Sequence, residues 1–277
     1  MRRWLLIFSL MLCTLVAAAQ GKCGVPVREN LAFQAGERLE LGLQYKWGAV
    51  RTEVAQAVVT VDTVRYKGTP AFQSAFQSAF VVQSAPFFDV FFKMRENFRS
   101  WFTRDDIRPL KFIRETQEGN YTASNLYLYD WEERQIHATV AFGSKPETTL
   151  DIPLHDCVWD LPTLIYYLRN LDCSRMKPGA QYPLSFVIDD EVFNIRITYN
   201  GPSTLKAKKL GRFRVQGFSC SVVSGAMFEG DQQLQVWFSD DENFVPVAVM
   251  APLRWGAVWG WLKGYEGLKY PLASLSR

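Results

Sequence analysis

Histidine is close to absent: His137 and His155 are the only two in 277 residues. General-base chemistry would therefore fall to carboxylates or lysines. G-x-S-x-G, G-x-x-x-x-G-K-[ST], H-E-x-x-H and G-x-G-x-x-G are all missing, so neither a nucleophile elbow, a phosphate loop, a zincin helix nor a dinucleotide fold is signalled. No catalytic set and no cofactor is assigned. An excess of one charge is missing too. Setting aside Arg2 and Arg3, 29 of the 31 Lys and Arg stand against 28 Asp and Glu, and a near-neutral chain without a basic stripe argues against nucleic acid as a partner. After residue 19 no apolar run is long enough to span a bilayer, which takes about 20 residues; APLRWGAVWGWLKG is broken by Arg254 and Lys263.

What is present begins with a leader. Arg2 and Arg3, the run WLLIFSLMLCTLV and Ala17-Ala18-Ala19 read as a secretory signal peptide over residues 1–19, leaving a mature chain of 20–277. Leu12 and Lys22 precede Cys13 and Cys23 where a lipoprotein cleavage site has small residues, so no lipid anchor is expected. Export keeps four cysteines in an oxidising compartment: Cys23, Cys157, Cys173 and Cys220. An even number there predicts two disulfides with three possible connectivities. A helix over Leu161 to Asn170 would hold its ends about 15 Å apart against the roughly 4.4–6.8 Å of a bridged Cα pair, which disfavours Cys157 with Cys173.

The mature chain alternates like a series of strands. Leu39, Leu41, Leu43, Tyr45 and Trp47 take one face of RLELGLQYKW while Arg38, Glu40, Gly42, Gln44 and Lys46 take the other, the pattern of a half-buried strand. Strands are predicted at 51–65, 70–84, 97–104, 109–117, 121–130, 133–141 and 147–153. Turn signals such as Lys67-Gly68 and Glu118-Gly119-Asn120 separate several of them. Past the helix, further strands are predicted at 182–188, 193–199, 203–210, 212–223, 232–239, 244–251 and 256–270. No linker divides the chain. The fold class is therefore all-β with one main helix: a large antiparallel, twisted sheet curled into an open or closed barrel-like body, in a single domain over 20–277.

The helix lies in HDCVWDLPTLIYYLRNLDC. Asp160 is placed to cap it, Pro162 sits in the first turn, and Leu161, Leu164, Ile165 and Leu168 recur at helical spacing. One face must be buried on or in the sheet. His155, Asp156 and Asp160 lack the second histidine or thiolate pair of a metal centre, and Cys157 beside His155 reads as a disulfide half rather than a nucleophile. No metal site is assigned, and the stretch reads as a capped helix tied to the sheet by a disulfide. His137 reads as a surface residue of a strand. Asp105-Asp106, Asp189-Asp190 and Asp240-Asp241 fall where turns are expected.

Aromatics are abundant, at 14% of the chain with 20 Phe. In APFFDVFFKMRENFRSWF, Phe87, Phe88, Phe91 and Phe92 suit a short amphipathic helix, followed by a strand with Phe98, Trp101 and Phe102. Phe87, Phe88, Phe91, Phe92 and Trp101 are the candidates for lining a concavity that takes an apolar ligand. Trp255, Trp259, Trp261 and Tyr265 are candidates for a membrane interface.

The runs NLAFQAGERLELGLQYKWGAV, FFDVFFKMRENFRSWFTRDDIRPLKFIRETQEGNY, DLPTLIYYLRNLD and WFSDDENFVPVAVMAPLRWGAVWGWL resemble the exported bacterial family called domain of unknown function 3108, over roughly residues 30 to 268. The resemblance implies a strand-rich protein of a Gram-negative bacterium, often of the Bacteroidetes, located in the periplasm or outer envelope. It brings no established activity and no catalytic residues. Asp160, Thr163, Tyr166 and Arg169 occupy its recurrent helix positions and mark the fold. Cys173 departs from the family pattern, which leaves its pairing open.

The favoured reading is a non-catalytic periplasmic binding or envelope-maintenance protein, with a lipid or other apolar small molecule as ligand and a peripheral membrane or envelope protein as a further contact. A carboxylate hydrolase acting on envelope glycan is the alternative, and it requires two acids converging within about 5–10 Å. A structural scaffold using a sheet edge is the third reading.

Overall fold

In a computed structural model of the protein, residues 23–82, 92–207, 210–222, 233–253 and 255–276 are described. They form β1 (Glu37–Trp47), β2 (Val50–Tyr66), β3 (Thr69–Val82), β4 (Phe92–Thr103), β5 (Pro109–Glu118), β6 (Tyr121–Asp130), β7 (Gln135–Phe142) and β8 (Thr148–Pro153). After these come β9 (Val158–Trp159), the helix α1 (Leu161–Leu168), β10 (Gln181–Ile188), β11 (Glu191–Ala207), β12 (Gly211–Val222), β13 (Leu234–Ser239), β14 (Pro246–Pro252), β15 (Ala257–Glu266) and β16 (Leu275–Ser276). Local chemistry sets the turns. Lys67 and Gly68 both have positive φ between the paired ends Tyr66 and Thr69, the signature of a two-residue hairpin turn whose twist matches its strands.

The main sheet runs β8-β7-β6-β5-β4-β3-β2-β1-β15-β14-β13-β12-β11-β10-β9. β1–β8 and β10–β15 are antiparallel meanders joined in the middle by the pairing of β1 with β15, and the short β9 adds a parallel edge to β10 through the helical crossover. The two outer strands, β8 and β9, are separated by only four residues of chain. Among the described residues no hydrogen-bonded ladder joins them. The sheet nevertheless curls until its two ends meet: Phe112, Tyr127, Ile136 and Ala138 of β5–β7 share a core cluster with Val158 of β9 and Val187 of β10. The body is an all-β barrel closed by side chains rather than by backbone. The breaks expected near residues 200 and 210 differ in kind. Tyr199 to Gly201 is a bulge within the continuous strand β11, where Gly201 has φ 92°, whereas β11 does end at Ala207 and β12 begins at Gly211.

The helix enters the barrel. It packs against β3, β4 and β10 and buries Pro162, Thr163, Leu164, Tyr166 and Tyr167, while Leu161, Ile165 and Leu168 are only half-buried. The expected leucine face is therefore not the one most deeply covered. A helix surrounded at the barrel end buries the side chains that find partners there. Tyr166 sits 4.6 Å from Phe33 and 5.5 Å from Phe102 by ring centroid. Each fully buried ring of this size contributes about 1.5–3 kcal/mol. Asp160 caps the helix by accepting from the Thr163 amide at 2.9 Å. The helix ends at Leu168 rather than Asn170, and the Asn170 side chain instead holds the N-terminal strap, residues 23–36, accepting from the Ala32 amide at 2.9 Å and donating to the Tyr166 carbonyl at 2.7 Å.

The same end holds the cysteine clip. Cys23 is bonded to Cys157 with Cα atoms 5.7 Å apart, so the tie runs from the helix approach to the N-terminal strap and not to a strand. The second expected bridge is not formed among the described residues: Cys173 and Cys220 stand outside any disulfide. Cys173 opens a short 3-10 turn and Cys220 lies in β12. Burial pushes both thiols up, to about 12 and about 11, which leaves them as poor nucleophiles.

Candidate functional site

Residues directly opposed on antiparallel strands share a face, so the register traces rows around the inner wall. One row joins Glu37, Val61, Ser74, Ser100, Phe112 and Tyr127. It lies at the helix end and all six are buried. A second row joins Tyr199, Phe218, Val236, Val249, Gly260, Leu43 and Ala55, further from the helix on β13–β15 and β1. In it Val236, Val249 and Leu43 are only half-buried. Along β1 the inward positions grade from Glu37 and Leu39, at 1% and 2% exposure, through half-buried Leu41 and Leu43 to Trp47 at 49%. Inward-facing side chains reach solvent only where the lumen is open. The barrel is thus plugged at one end and apolar but solvent-accessible toward the other.

One wall of the lumen is polar. Glu96 is opposed to Thr116, and Arg114 to Asn125. Thr116 donates its hydroxyl to Glu96 Oε2 at 2.6 Å and accepts from Arg114 Nε at 2.8 Å. Arg114 Nη1 reaches Asp189 Oδ1 at 2.6 Å, and Asn125 donates to the same oxygen at 3.1 Å. The guanidinium also lies 5.8 Å from the Phe98 ring centre. Burial pushes the Glu96 carboxyl up, and the Thr116 and Arg114 contacts only partly offset this. Asn125 Oδ1 is buried without a hydrogen-bond partner. The Thr116 hydroxyl is thus used within the cluster as both donor and acceptor, and what remains for a polar headgroup is the guanidinium of Arg114 and the open amide acceptor of Asn125.

Asp189 connects this wall to the far side of the seam. It has φ 56° in the turn between β10 and β11, a conformation that Asp and Asn tolerate better than most L residues. Tyr127 donates to its carbonyl oxygen at 2.6 Å. The acidic pair read as simple turn chemistry therefore also clasps the barrel.

The sequence-derived candidates divide. Phe87, Phe88 and Phe91 lie outside the described residues, and Phe92 begins β4. Trp101 does not line the lumen. It alternates with inward-facing Ser100 and Phe102 and lies on the outer face, with Lys111 Nζ 5.0 Å from its ring centre. Asp160, Thr163, Tyr166 and Arg169 do gather, at the plug. Ser100 of β4 bonds Asp160 Oδ2 at 2.8 Å and Thr163 Oγ1 at 2.6 Å. Arg169 is fully buried, pairs with Glu37 through both carboxylate oxygens, and donates to the Asn243 carbonyl at 3.0 Å.

His155, Asp156 and Asp160 do not converge. Asp156 pairs with Arg134 at the surface while Asp160 is buried. Asp130, Glu133 and His137 do place ligand atoms within 4.8 Å of one another. Asp130 there accepts from the amides of Glu132 and Glu133, and His137 holds Asp151 at 2.7 Å, which is turn capping and cross-strand pairing. Glu96, Arg114 and Asn125 were missed in the sequence reading. The available signal was parity, since Glu96 falls in step with Phe98, Ser100 and Phe102.

No curated protein matches the sequence. Among solved structures, the chain is similar to a beta-barrel-like protein of domain of unknown function DUF1849 from Brucella abortus, with TM-score 0.57 and 10% identity over 86% of this chain and 99% of that one. A candidate exported protein with a YmcC-like fold from Bacteroides fragilis aligns with TM-score 0.36 and 9% identity over 86% of this chain and all of that one. The family model described as protein of unknown function (DUF3108) matches residues 43–259, and the chain belongs to that family.

Proposed function

We propose that this protein is a non-catalytic binding protein of the bacterial cell envelope that holds an amphiphile in its barrel lumen. The observation that carries this reading is the half-exposure of inward-facing Leu41, Leu43, Val236 and Val249 in a barrel whose opposite end is dry. The tail would lie along these side chains and the headgroup against Arg114 and Asn125. Most ligand sites combine an apolar lining with a few fixed polar groups in this way. The leader over residues 1–19 and the Cys23–Cys157 bond support an oxidising, exported location. The test is native mass spectrometry of protein purified from its own envelope, followed by organic extraction. A co-purifying amphiphile at one per chain is expected, and a clean apo mass from every preparation overturns the reading.

A glycan hydrolase has one observation in its favour: Glu96 and Asp189 both approach Arg114, at 3.9 Å and 2.6 Å. The guanidinium between them occupies the space that a sugar ring and water need. Turnover of peptidoglycan fragments that Glu96→Gln abolishes would establish the hydrolase instead.

A further inference from the structure

We infer that the barrel end carrying Trp47, Leu253 and Trp255 docks on the surface of an anionic lipid bilayer. This inference is independent of the lumen reading. Five large apolar side chains are exposed among the described residues: Trp47 at 49%, Tyr121, Leu128, Leu253 at 43% and Trp255 at 65%. Three of them share one place, the neighbouring turns that join β1 to β2 and β14 to β15.

These turns are fastened to each other. Lys46 pairs with Ala257 across the β1–β15 ladder, Tyr45 donates its hydroxyl to the Trp255 carbonyl at 2.8 Å, and Leu253 donates its amide to the Gly256 carbonyl at 3.0 Å. Gly256 has φ 80°, and a Cβ there would stand 2.3 Å from the Lys46 carbonyl oxygen. The backbones therefore touch where only glycine fits. Behind the turns, Trp237, Trp259 and Trp261 stack in series with centroids 5.8 Å and 5.2 Å apart, and Lys46 Nζ lies 4.1 Å from the centre of Trp259. The exposed rings thus stand on a rigid base and lose little freedom on contact.

Charge selects the partner. Residues 41–52 and 243–265 contain Lys46, Arg51, Arg254 and Lys263 and not one Asp or Glu. Lys263 is paired with Glu53 at 2.6 Å, so the charge of the tip rests on Lys46 and Arg51, opposed on β1 and β2, and on Arg254 in the sequence between Leu253 and Trp255. A chain that is neutral as a whole is cationic here, which complements anionic headgroups. Tryptophan favours the headgroup zone of a bilayer because its ring is amphipathic. Apolar tips on two turns also suit insertion into that zone better than the flat patch of about 800 Å² per partner of a stable protein interface.

The experiment is flotation of the purified protein with phosphatidylcholine vesicles made with and without phosphatidylglycerol. Wild type is expected to float with the anionic vesicles only, and to be released by salt. Trp47→Ser with Trp255→Ser should lower the partition coefficient at least tenfold, whereas Leu128→Ser, on the outer wall of β6, should leave it unchanged. Should the double variant misfold, Leu253→Asp tests the same tip at a position already exposed. No flotation of wild type, or equal flotation of wild type and the tip variants, overturns the proposal. So does a self-association in sedimentation that the tip variants abolish while vesicle binding persists. Vesicle binding by a protein that carries no ligand retains the docking surface and removes the lumen reading.

Discussion

Tyr127 reaches across the barrel seam and donates its hydroxyl to the carbonyl oxygen of Asp189, 2.6 Å away. With Arg114 and Asn125 on the Asp189 carboxylate, this clasp joins β6 to the β10–β11 turn where no ladder joins β8 to β9 among the described residues. Removing it should loosen the seam before the rest of the fold. Asp189→Gly keeps the left-handed turn and deletes the carboxylate, and Tyr127→Phe deletes the other bond. Together they should lower stability by about 2 kcal/mol or more, since hydrogen bonds to charged groups contribute roughly 1.5–3 kcal/mol each. Hydrogen exchange should accelerate in β6–β8 and β9–β11 while β1, β2 and β15 stay protected. Uniform acceleration would show that the seam is not the weak line.

The plug depends on a buried ion pair. Arg169 and Glu37 have side-chain exposures of 1% and 0%, so neither can turn to water if its partner is removed. Arg169→Met should destabilise the protein by about 3–5 kcal/mol by leaving an uncompensated buried carboxylate. Adding Glu37→Gln to Arg169→Met should recover part of that loss. Urea melts of both variants check this, and a double variant less stable than the single one would contradict it.

Asp160 makes the plug sensitive to pH. Burial lifts its carboxyl from 3.8 to about 6, against the pull of its bonds to Thr163 and Ser100. A folded value above the unfolded one contributes stability that is fully present below the unfolded value and lost as pH rises through the folded one. The contribution should therefore fade between about pH 4 and about pH 6, by at most about 3 kcal/mol. Asparagine caps a helix almost equally well and does not titrate. The stability of wild type minus that of Asp160→Asn should fall across this window in denaturant melts. A flat difference would mean that burial does not shift this carboxyl, and one that rises with pH would place the ionised form as the favoured one in the folded protein; either contradicts the account.

The Cys23–Cys157 bond spans 134 residues of sequence. Closing so long a loop is worth up to about 5 kcal/mol in the chain-entropy description of the unfolded state. Cys23→Ser with Cys157→Ser should lower the melting temperature, and reducing agent should do the same to wild type. Thiol labelling of wild type in denaturant should count two reactive cysteines in the exported chain, Cys173 and Cys220. A count of zero would mean that the second bridge forms after all.

Much of this fold was legible in the residues, and the limits are physical. Leu39, Leu41 and Leu43 alternate because one face of β1 is inside, and Asp160 precedes Leu161 because a helix start needs an acceptor for the Thr163 amide. Both signals are local. Trp101 was misplaced because aromatic content was read without strand parity: Ser100 faces in to bond Asp160, and Trp101 must then face out. Cysteine number gave no geometry, and Cys173 and Cys220 ended on elements that do not bridge. Glu96, Arg114 and Asp189 come from three separate stretches that only the curling of the sheet brings together. No spacing in the chain announces that meeting.

The lumen reading rests on the half-exposure of inward-facing Leu41, Leu43, Val236 and Val249. Native mass spectrometry of wild type beside Val249→Trp, which adds bulk to the inner wall from β14, measures this. Wild type from its own envelope is expected to carry one amphiphile per chain, and the folded tryptophan variant none. Identical apo masses for both, or equal ligand loads in both, would mean that the lumen is not the binding site.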